Sequence, residues 1–328
     1  MRIATWNVEW FNTLFDRDGA IKTGAEPSGR VGVAAGERVE AIGRVLRALD
    51  ADAVLIVEAP DISRRRDGRA LLERFAERAG LRARRVLIGF PNDTRQEIAL
   101  LHDPDRLEAR HDPREAPDAP RFDGALRLAI DGRTERVRFS KPPLEALCRG
   151  ARGEWRLIGV HAKAKVGREE GAAEPMRGVV ESRRKLLGQC AWIRRRVEAH
   201  LAAGEPLVVL GDLNDDPALD AFEARHGRSG VETVAGEGAG RLRDANLEAA
   251  LAAGPGGGPT TARFRLPGEG RWMEALLDYA LVSPDLAARG PTWRVWHPGR
   301  PPCSDDASLA RALLAASDHF PVSIDVDL

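Results

Sequence analysis

The stretch LVVLGDLNDDP, residues 207–217, joins a run of apolar residues directly to a run of polar ones. Residues 207–210 have the length and composition of a buried strand. Asp212 and Asn214 follow and are two residues apart, so their side chains point the same way if the strand continues. Layered α/β enzymes deliver functional groups to one edge of a sheet in this way. The stretch therefore predicts a buried strand that presents an acid and an amide.

The same arrangement occurs at other places in the chain, where an apolar run ends abruptly in a carboxylate, an amide or an imidazole. Taken alone, each is also an ordinary polar residue that ends a strand. Together they are oxygen ligands for a hard cation plus imidazoles, which indicates metal-assisted phosphoryl chemistry. Besides 207–214, the runs end at Asn7, Glu58, His161, Asp278 and Asp318-His319.

Strand-like and helical patterns alternate along the chain, and no domain boundary stands out. The spacing of apolar residues predicts helices over about 39–49, 71–79 and 177–202. Surface loops are predicted at 17–36, 163–176 and 227–259. Strands are predicted at 53–57, 86–88, 98–101, around 125–131 and 134–139, and at 157–160, 207–210, 276–282 and 320–326. We interpret residues 1–328 as a single α/β domain built on mixed sheets.

The composition excludes several classes of protein. The 328 residues are 43% hydrophobic and 30% charged, which is enough for a large core and too apolar for a disordered chain. No apolar run reaches the roughly 20 residues of a membrane span, and the first residues read as a strand rather than a signal peptide. The three cysteines are widely spaced, so neither a disulfide framework nor a thiolate zinc site is expected. We expect a globular protein of the cytoplasm.

The net charge is zero, because 50 basic residues balance 50 acidic ones. Proteins that hold nucleic acid mainly through its phosphates usually carry a basic excess. Any such binding by this chain must therefore come from a local patch of positive charge.

In combination, the motifs resemble the endonuclease/exonuclease/phosphatase superfamily, and the resemblance runs from residue 3 to about 323. It implies a four-layer α/β sandwich of two packed mixed β-sheets flanked by helices. It also implies a Mg²⁺-dependent hydrolase of phosphoester bonds, in which Mn²⁺ can substitute, with DNA or RNA as the substrate. The motifs that carry it are Trp6-Asn7, Glu58, His161-x-Lys163, Gly211-Asp212-x-Asn214, Leu277-Asp278-Tyr279 and Ser317-Asp318-His319.

The resemblance assigns the metal to Glu58, with a contribution from Asp318. Asn7 would hold the scissile phosphate or the water shell of the metal. Asp212 would orient or deprotonate the attacking water, while Asn214 would donate a hydrogen bond to the phosphoryl oxygen or fix Asp212. Mg²⁺ keeps several waters, so few direct protein ligands are expected.

The remaining catalytic assignments are histidines and their partner. His319 would stabilise charge on the phosphoryl oxygens or share the role of base, and Asp278 would fix its tautomer as the aspartate of a catalytic triad does. His161 lies in a segment similar to the family's His-Leu-Lys-Ser. Whether Asp212 or His319 takes the proton stays open.

Positive charge near His161 gives the candidate contacts to the substrate phosphate. Only five of the 50 basic residues are lysines, and Lys163 and Lys165 lie within four residues of His161. Lys163 would meet a phosphate as a point charge, although a solvated strand end is the alternative. Arg95 precedes a strand whose family counterpart often carries a substrate-facing arginine.

Two departures from the family pattern bear on the substrate. Val57 stands where family members commonly have glutamine, and the only tyrosine is Tyr279, whereas the abasic endonucleases use a separate tyrosine from the middle of the chain. A nuclease-type phosphodiesterase with in-line attack by water is the leading hypothesis. A phosphatase or phosphodiesterase for a small or lipid-derived phosphoester is the second, and a non-catalytic binding protein is the third.

Overall fold

The computed structural model describes residues 1–64, 66–130, 132–165, 175–217, 223, 227–254, 256–265 and 271–328. It contains two large sheets that pack face to face, and strands and helices are numbered here in chain order. No helix in these ranges is long and apolar enough to cross a membrane.

The first sheet has six strands in the order β16-β17-β1-β2-β6-β5, with β1 and β2 parallel and the other neighbours antiparallel. Because β1 pairs with β17, the two ends of the chain lie side by side. The strands are β1 (Arg2–Asn7), β2 (Ala53–Ala59), β5 (Arg85–Ile88), β6 (Glu97–His102), β16 (Thr292–Val295) and β17 (Val322–Asp325).

The second sheet has five strands in the order β15-β12-β11-β10-β7. Its one parallel pair is β11 with β12, so the carboxyl ends of these two strands meet at the same edge. The strands are β7 (Glu108–His111), β10 (Leu144–Gly150), β11 (Gly153–His161), β12 (Leu207–Asp212) and β15 (Asp278–Val282).

Three antiparallel ribbons of two strands each complete the β-structure of the described residues. They pair β3 (Ile62–Ser63) with β4 (Arg66–Asp67), β8 (Leu126–Ile130) with β9 (Arg133–Val137), and β13 (Ala262–Arg265) with β14 (Trp272–Ala275).

Six of the α-helices of the described residues lie on the outer faces of the sheets, whereas α6 (Pro284–Ala287) packs into the core between the sheets. The ends of the helices follow local sequence signals. For example, the Asp67 side chain caps the second helix and Gly80 ends it in a left-handed conformation. The α-helices are α1 (Ala35–Leu49), α2 (Gly68–Ala79), α3 (Pro175–Ala202), α4 (Gly230–Ala235), α5 (Ala245–Ala253), α6 (Pro284–Ala287) and α7 (Ala307–Ala316). Short 3₁₀ helices cover Phe11–Leu14, Gly238–Gly240 and Cys303–Asp305.

Three apolar cores separate four layers. One packs α1, α2 and α7 on the first sheet, one lies between the sheets, and one packs α3, α4 and α5 on the second sheet. The sheets approach closely at Gly159, where a Cβ would lie 2.5 Å from the Leu55 side chain. The predicted four-layer α/β sandwich with two mixed sheets is therefore confirmed, while the single domain over 1–328 stays a prediction.

The prediction of a surface loop over 227–259 is wrong, because this region contains α4 and α5. Ser229 and Glu232 form a reciprocal capping box at the start of α4, and Asp244 caps α5. Val231 of α4 and Leu247 of α5 are buried in the core of the second sheet. Most of the predicted loop at 163–176 lies outside the described residues.

Candidate active site

The register of the second sheet brings three polar residues into one row. His161 at the end of β11 pairs with Asp212 at the end of β12, and Asp212 pairs with Asp278 at the start of β15. Asn7 at the end of β1 reaches this row from the first sheet, since its Nδ2 donates a hydrogen bond to Asp212 Oδ2 at 3.0 Å. The two sheets therefore meet at a common polar edge.

The Asp212 carboxylate is buried and held from several sides. Its Oδ1 accepts a hydrogen bond from the Asn214 backbone at 2.8 Å, and its Oδ2 accepts one from Asn214 Nδ2 at 3.2 Å. Burial, with a further contribution from the negative charge of Asp278, raises the pKa of Asp212 to about 7, although His319 opposes the shift. A carboxylate with such a pKa is suited to accept a proton near neutral pH.

Glycine is required just before this carboxylate. Gly211 has a φ of +136°, and a Cβ there would lie 2.1 Å from the carbonyl oxygen of Val160 on the neighbouring strand. The close approach keeps β11 and β12 paired up to their last residues, where His161 and Asp212 lie. Any larger residue at 211 would separate these two strand ends.

His319 and Asp278 form a buried hydrogen-bonded pair, with His319 Nδ1 2.8 Å from Asp278 Oδ2. Thr261 Oγ1 donates to the same carboxylate oxygen at 2.8 Å and so fixes its orientation. Burial alone would lower the pKa of His319, but the charges of Asp278, Asp212 and Asp318 raise it well above its ordinary value. These carboxylates therefore favour the protonated form of His319 beside Asp212.

Lys141 lies at the opposite side of Asp212, and the sequence analysis did not select it. Its Nζ is 3.0 Å from both His161 Nε2 and Gln96 Oε1. Since an ammonium group only donates, His161 accepts at Nε2, and a neutral ring then carries its proton on Nδ1. Burial and the neighbouring charges of Lys141 and His319 keep the pKa of His161 well below its ordinary value.

Glu58 occupies a β-bulge in β2, with a φ of +61°. Bulges redirect side chains and are common beside active sites. The Glu58 Oε2 accepts a hydrogen bond from the Trp10 backbone at 2.8 Å, whereas its Oε1 accepts none from the described residues and lies 4.0 Å from His161 Nε2. This leaves one carboxylate oxygen of Glu58 available to a ligand.

Two further carboxylates, Glu9 and Asp318, lie on the Glu58 side of the site. Burial and the charge of Asp318 raise the pKa of Glu9, against the opposing charges of Arg30 and Arg38. Arg38 is buried, interacts electrostatically with all three carboxylates, and donates to the carbonyl oxygens of Val8, Ser28 and Ala316. Glu9 was not selected from the sequence, although it stands only two residues after Asn7.

Glu58, Glu9 and Asp318 offer the oxygen donors that a hard divalent cation prefers, although their oxygens do not all lie within 4.8 Å of one another. Burial and then repulsion from Asp318 raise the pKa of Glu9, and a bound cation would relieve that repulsion. Asp212, Asp278 and His319 form a second group, whose potential ligand atoms all lie within 4.8 Å of one another. In that group, His319 Nδ1 already lies 2.8 Å from Asp278 Oδ2.

The three candidates for phosphate contact lie in different surroundings. The Lys163 backbone donates to Gln189 Oε1 at 2.8 Å, and its ammonium charge acts on that of Lys141. Arg95 is exposed on the loop before β6 and forms no ion pair within the described ranges. Lys165, by contrast, is ion-paired with Asp215 at 2.5 Å and with Glu223 at 2.7 Å, which favours a structural role for it over a phosphate contact.

A model of the Endonuclease/Exonuclease/phosphatase family matches residues 4–319, whereas no curated protein matches the sequence. Among solved structures, a 3'-5' exonuclease from Neisseria meningitidis aligns over 100% of both chains, with a TM-score of 0.55 and 16% identity.

Two further structures align over 100% of this chain. An AP endonuclease from Archaeoglobus fulgidus is covered over 100% of its own length, with a TM-score of 0.53 and 14% identity. TDP2 from D. rerio, complexed with single strand DNA product, is covered over 99%, with a TM-score of 0.52 and 14% identity. At these identities the likeness shows the fold alone.

Proposed function

This chain belongs to the Endonuclease/Exonuclease/phosphatase family, and from that premise we propose that it is a divalent-metal-dependent nuclease that cleaves a phosphodiester bond by in-line attack of water. The observation that carries the proposal is the pairing of opposite charges at one buried edge. Asp212, with a pKa raised to about 7, lies beside a His319 that Asp278 holds in its protonated form. A base and a fixed positive charge thus lie within reach of one phosphoryl group.

The contacts of the side chains support the following proposed roles. Asp212 orients the attacking water and accepts its proton, while Asn7 and Asn214 hold the carboxylate that does so. The His319 cation stabilises the negative charge that develops on the phosphoryl oxygens, and Asp278 fixes the orientation of the ring. Oriented charge of this kind in a site that excludes water is a large contributor to catalysis.

Lys141 supplies a second positive charge, and the neutral His161 ring accepts its hydrogen bond and positions it. Glu58, Glu9 and Asp318 would hold Mg²⁺, or Mn²⁺ in its place. When bound, this cation supplies Lewis-acid stabilisation of charge on the phosphate.

The test is a hydrolysis screen with plasmid DNA, single-stranded DNA, RNA, bis-p-nitrophenyl phosphate and a phosphate monoester, each with Mg²⁺, Mn²⁺ or EDTA. We expect diester hydrolysis that EDTA abolishes. Glu58→Gln should raise the Mg²⁺ concentration needed for half-maximal activity, whereas Glu108→Gln, at an exposed position on β7, should not. Full activity after exhaustive chelation would refute the metal-dependent mechanism.

A phosphatase or phosphodiesterase for a small or lipid-derived phosphoester is the second candidate, and the zero net charge of the chain favours it. It uses the same site but needs no extended contact with a polyanion. Hydrolysis confined to monoesters or small esters in the same screen, with no cleavage of DNA or RNA, would replace the nuclease proposal with this one.

A further inference from the structure

The hairpin of β8 and β9, with the residue that follows it, contains four arginines, and none of them has an ion pair in the part of the chain that the structure describes. They are Arg127, Arg133, Arg136 and Arg138. Elsewhere arginines are commonly engaged by carboxylates, as Arg82 is by Asp50, Asp52 and Asp103. In a chain with zero net charge, the described part of the hairpin therefore concentrates positive charge, with Glu135 as its one acidic residue.

Three of these arginines share the outer face of the hairpin. Arg127 lies directly opposite Arg136 in the strand register, and both are exposed. Arg138 follows Arg136 after the buried Val137, and so it lies on the same face. We call Arg127, Arg136 and Arg138 the arginine face.

The side chains of the arginine face are exposed and lie outside the apolar core. Like charges directly opposite each other on paired strands are destabilising. The inner face holds the ribbon in place instead, since Leu126, Leu128, Ile130 and Val137 belong to the core beneath α3. A negatively charged partner bound at the arginine face would remove the repulsion between Arg127 and Arg136.

The arginine face is joined to the active site through Gln189 of α3. The Gln189 Nε2 donates to the carbonyl oxygen of Arg138 at 3.0 Å, and its Oε1 accepts from the backbone of Lys163 at 2.8 Å. Lys163 follows His161 by two residues, and Lys141, which contacts His161, follows Arg138 by three. One end of the arginine face is therefore held close to His161, at the polar edge where the two sheets meet.

We propose that the arginine face binds the phosphodiester backbone of a polynucleotide whose scissile phosphate lies at the Asp212–His319 pair. This inference rests on the proposed nuclease function and assigns its substrate to polymers longer than a dinucleotide. Guanidinium groups match phosphate oxygens in a planar, two-pronged geometry, and each neutralised phosphate releases counterions. An anionic membrane fits less well, because the hairpin exposes no large apolar side chain.

The test replaces all three arginines by glutamine (Arg127→Gln, Arg136→Gln, Arg138→Gln). We expect KM for a 30-nucleotide DNA or RNA substrate to rise about tenfold or more at 0.15 M salt. The log–log slope of kcat/KM against salt should flatten by about two to three units, on the basis of one phosphate contact per arginine. Hydrolysis of bis-p-nitrophenyl phosphate should be unchanged, because it does not reach the hairpin.

The matched control removes three exposed arginines that are ion-paired elsewhere (Arg84→Gln, Arg149→Gln, Arg152→Gln), and so it removes the same charge. It should leave the salt slope for the oligonucleotide within half a unit of the original. Replacement of the arginine face by lysines should restore most of the slope. Thermal denaturation should show an equal or higher Tm for the glutamine variant, since the Arg127–Arg136 repulsion is removed.

Binding of a fluorescent oligonucleotide in EDTA separates this inference from the nuclease proposal. Weaker binding by the glutamine variant would support polynucleotide binding by the arginine face. If the oligonucleotide is bound in this way but not cleaved, the nuclease proposal alone fails. Cleavage with an unchanged KM and salt slope in the variant would overturn the arginine face alone. Arginine-dependent binding to phosphatidylserine vesicles without binding to the oligonucleotide would also overturn it.

Discussion

The parallel strands β11 and β12 carry buried histidine–carboxylate networks at both of their ends, and the two networks differ in how their charges are compensated. At the amino end, His200 lies between Glu145 and Glu205, at 2.9 Å and 2.5 Å. At the carboxyl end, Asp212 and the Asp278–His319 pair lie beside His161. The residue types are the same, but the balance of charge differs.

The amino end contains arginines that compensate its carboxylates. Arg156 contacts Glu205 at 2.9 Å and Asp112 at 2.5 Å, and Arg196 lies 3.4 Å from Glu145. The carboxyl end has no arginine in contact with Asp212 or Asp278 among the described residues, so burial raises the pKa of Asp212 to about 7. A buried carboxylate that is paired with an arginine stays charged and has a structural role. A buried carboxylate without such a partner can gain or lose a proton near neutral pH.

The largest expected effect is a loss of activity when the network at the carboxyl end is changed. Asp212→Asn should lower kcat by about 10³- to 10⁴-fold, because the amide cannot accept a proton. Its Tm at neutral pH should be maintained or raised, since a buried charge is removed. The measurement is steady-state hydrolysis of a phosphodiester together with thermal denaturation. A variant that lost activity only because it unfolded would show that Asp212 is a structural residue.

The second prediction is the opposite outcome at the amino end of these strands, namely a loss of stability with activity retained. Glu145→Gln should destabilise the protein by about 3–5 kcal/mol, because His200 and Arg196 lose the carboxylate between them. Its kcat, measured below the unfolding temperature, should stay within about twofold of the original. Denaturant unfolding gives the free energy change. A large fall in kcat without a loss of stability would contradict the division between the two ends.

The third prediction concerns Lys141, the lysine at the carboxyl end of these strands. Lys141→Met should lower kcat/KM by about 10²- to 10³-fold, as expected when a preorganised charge is lost from an active site. The pKa of His161, followed by NMR, should rise in this variant, because the neighbouring ammonium charge lowers it. Lys185→Met, at an exposed lysine of α3, is the control. An unchanged His161 titration would mean that the two side chains are not in contact in solution.

Sequence reasoning identified the residues that end apolar strands, because a charged or amide group after a buried run is visible without the fold. It missed Lys141, because this residue lies 20 residues before His161 in the sequence. The pairing of β10 with β11 brings the two side chains into contact. It missed Glu9 because that residue lies in a turn with positive φ rather than at a strand end. Lys165 was selected for its nearness to His161 in the chain, whereas its partners Asp215 and Glu223 follow only after α3 and β12.

The smallest expected effect tests a buried carboxylate that has neither arginine nor histidine as a partner. Asp244 accepts hydrogen bonds from three backbone amides, those of Asn246, Leu247 and Ala280. Burial raises its pKa from 3.8 to about 6, although these hydrogen bonds oppose the shift. Its folded form therefore binds a proton more tightly than its unfolded form does between these pH values.

It follows that the contribution of Asp244 to stability is largest below pH 4 and is lost as the pH rises through 6, by at most about 3 kcal/mol. Asp244→Asn keeps the helix cap and removes the titration. The Tm of this variant minus that of the original should therefore increase by a few degrees between pH 4 and pH 7. Asp105→Asn, at an exposed residue, should show no such trend. A difference that stays constant with pH would mean that backbone amides alone stabilise a buried carboxylate as well as the arginines at the amino end do.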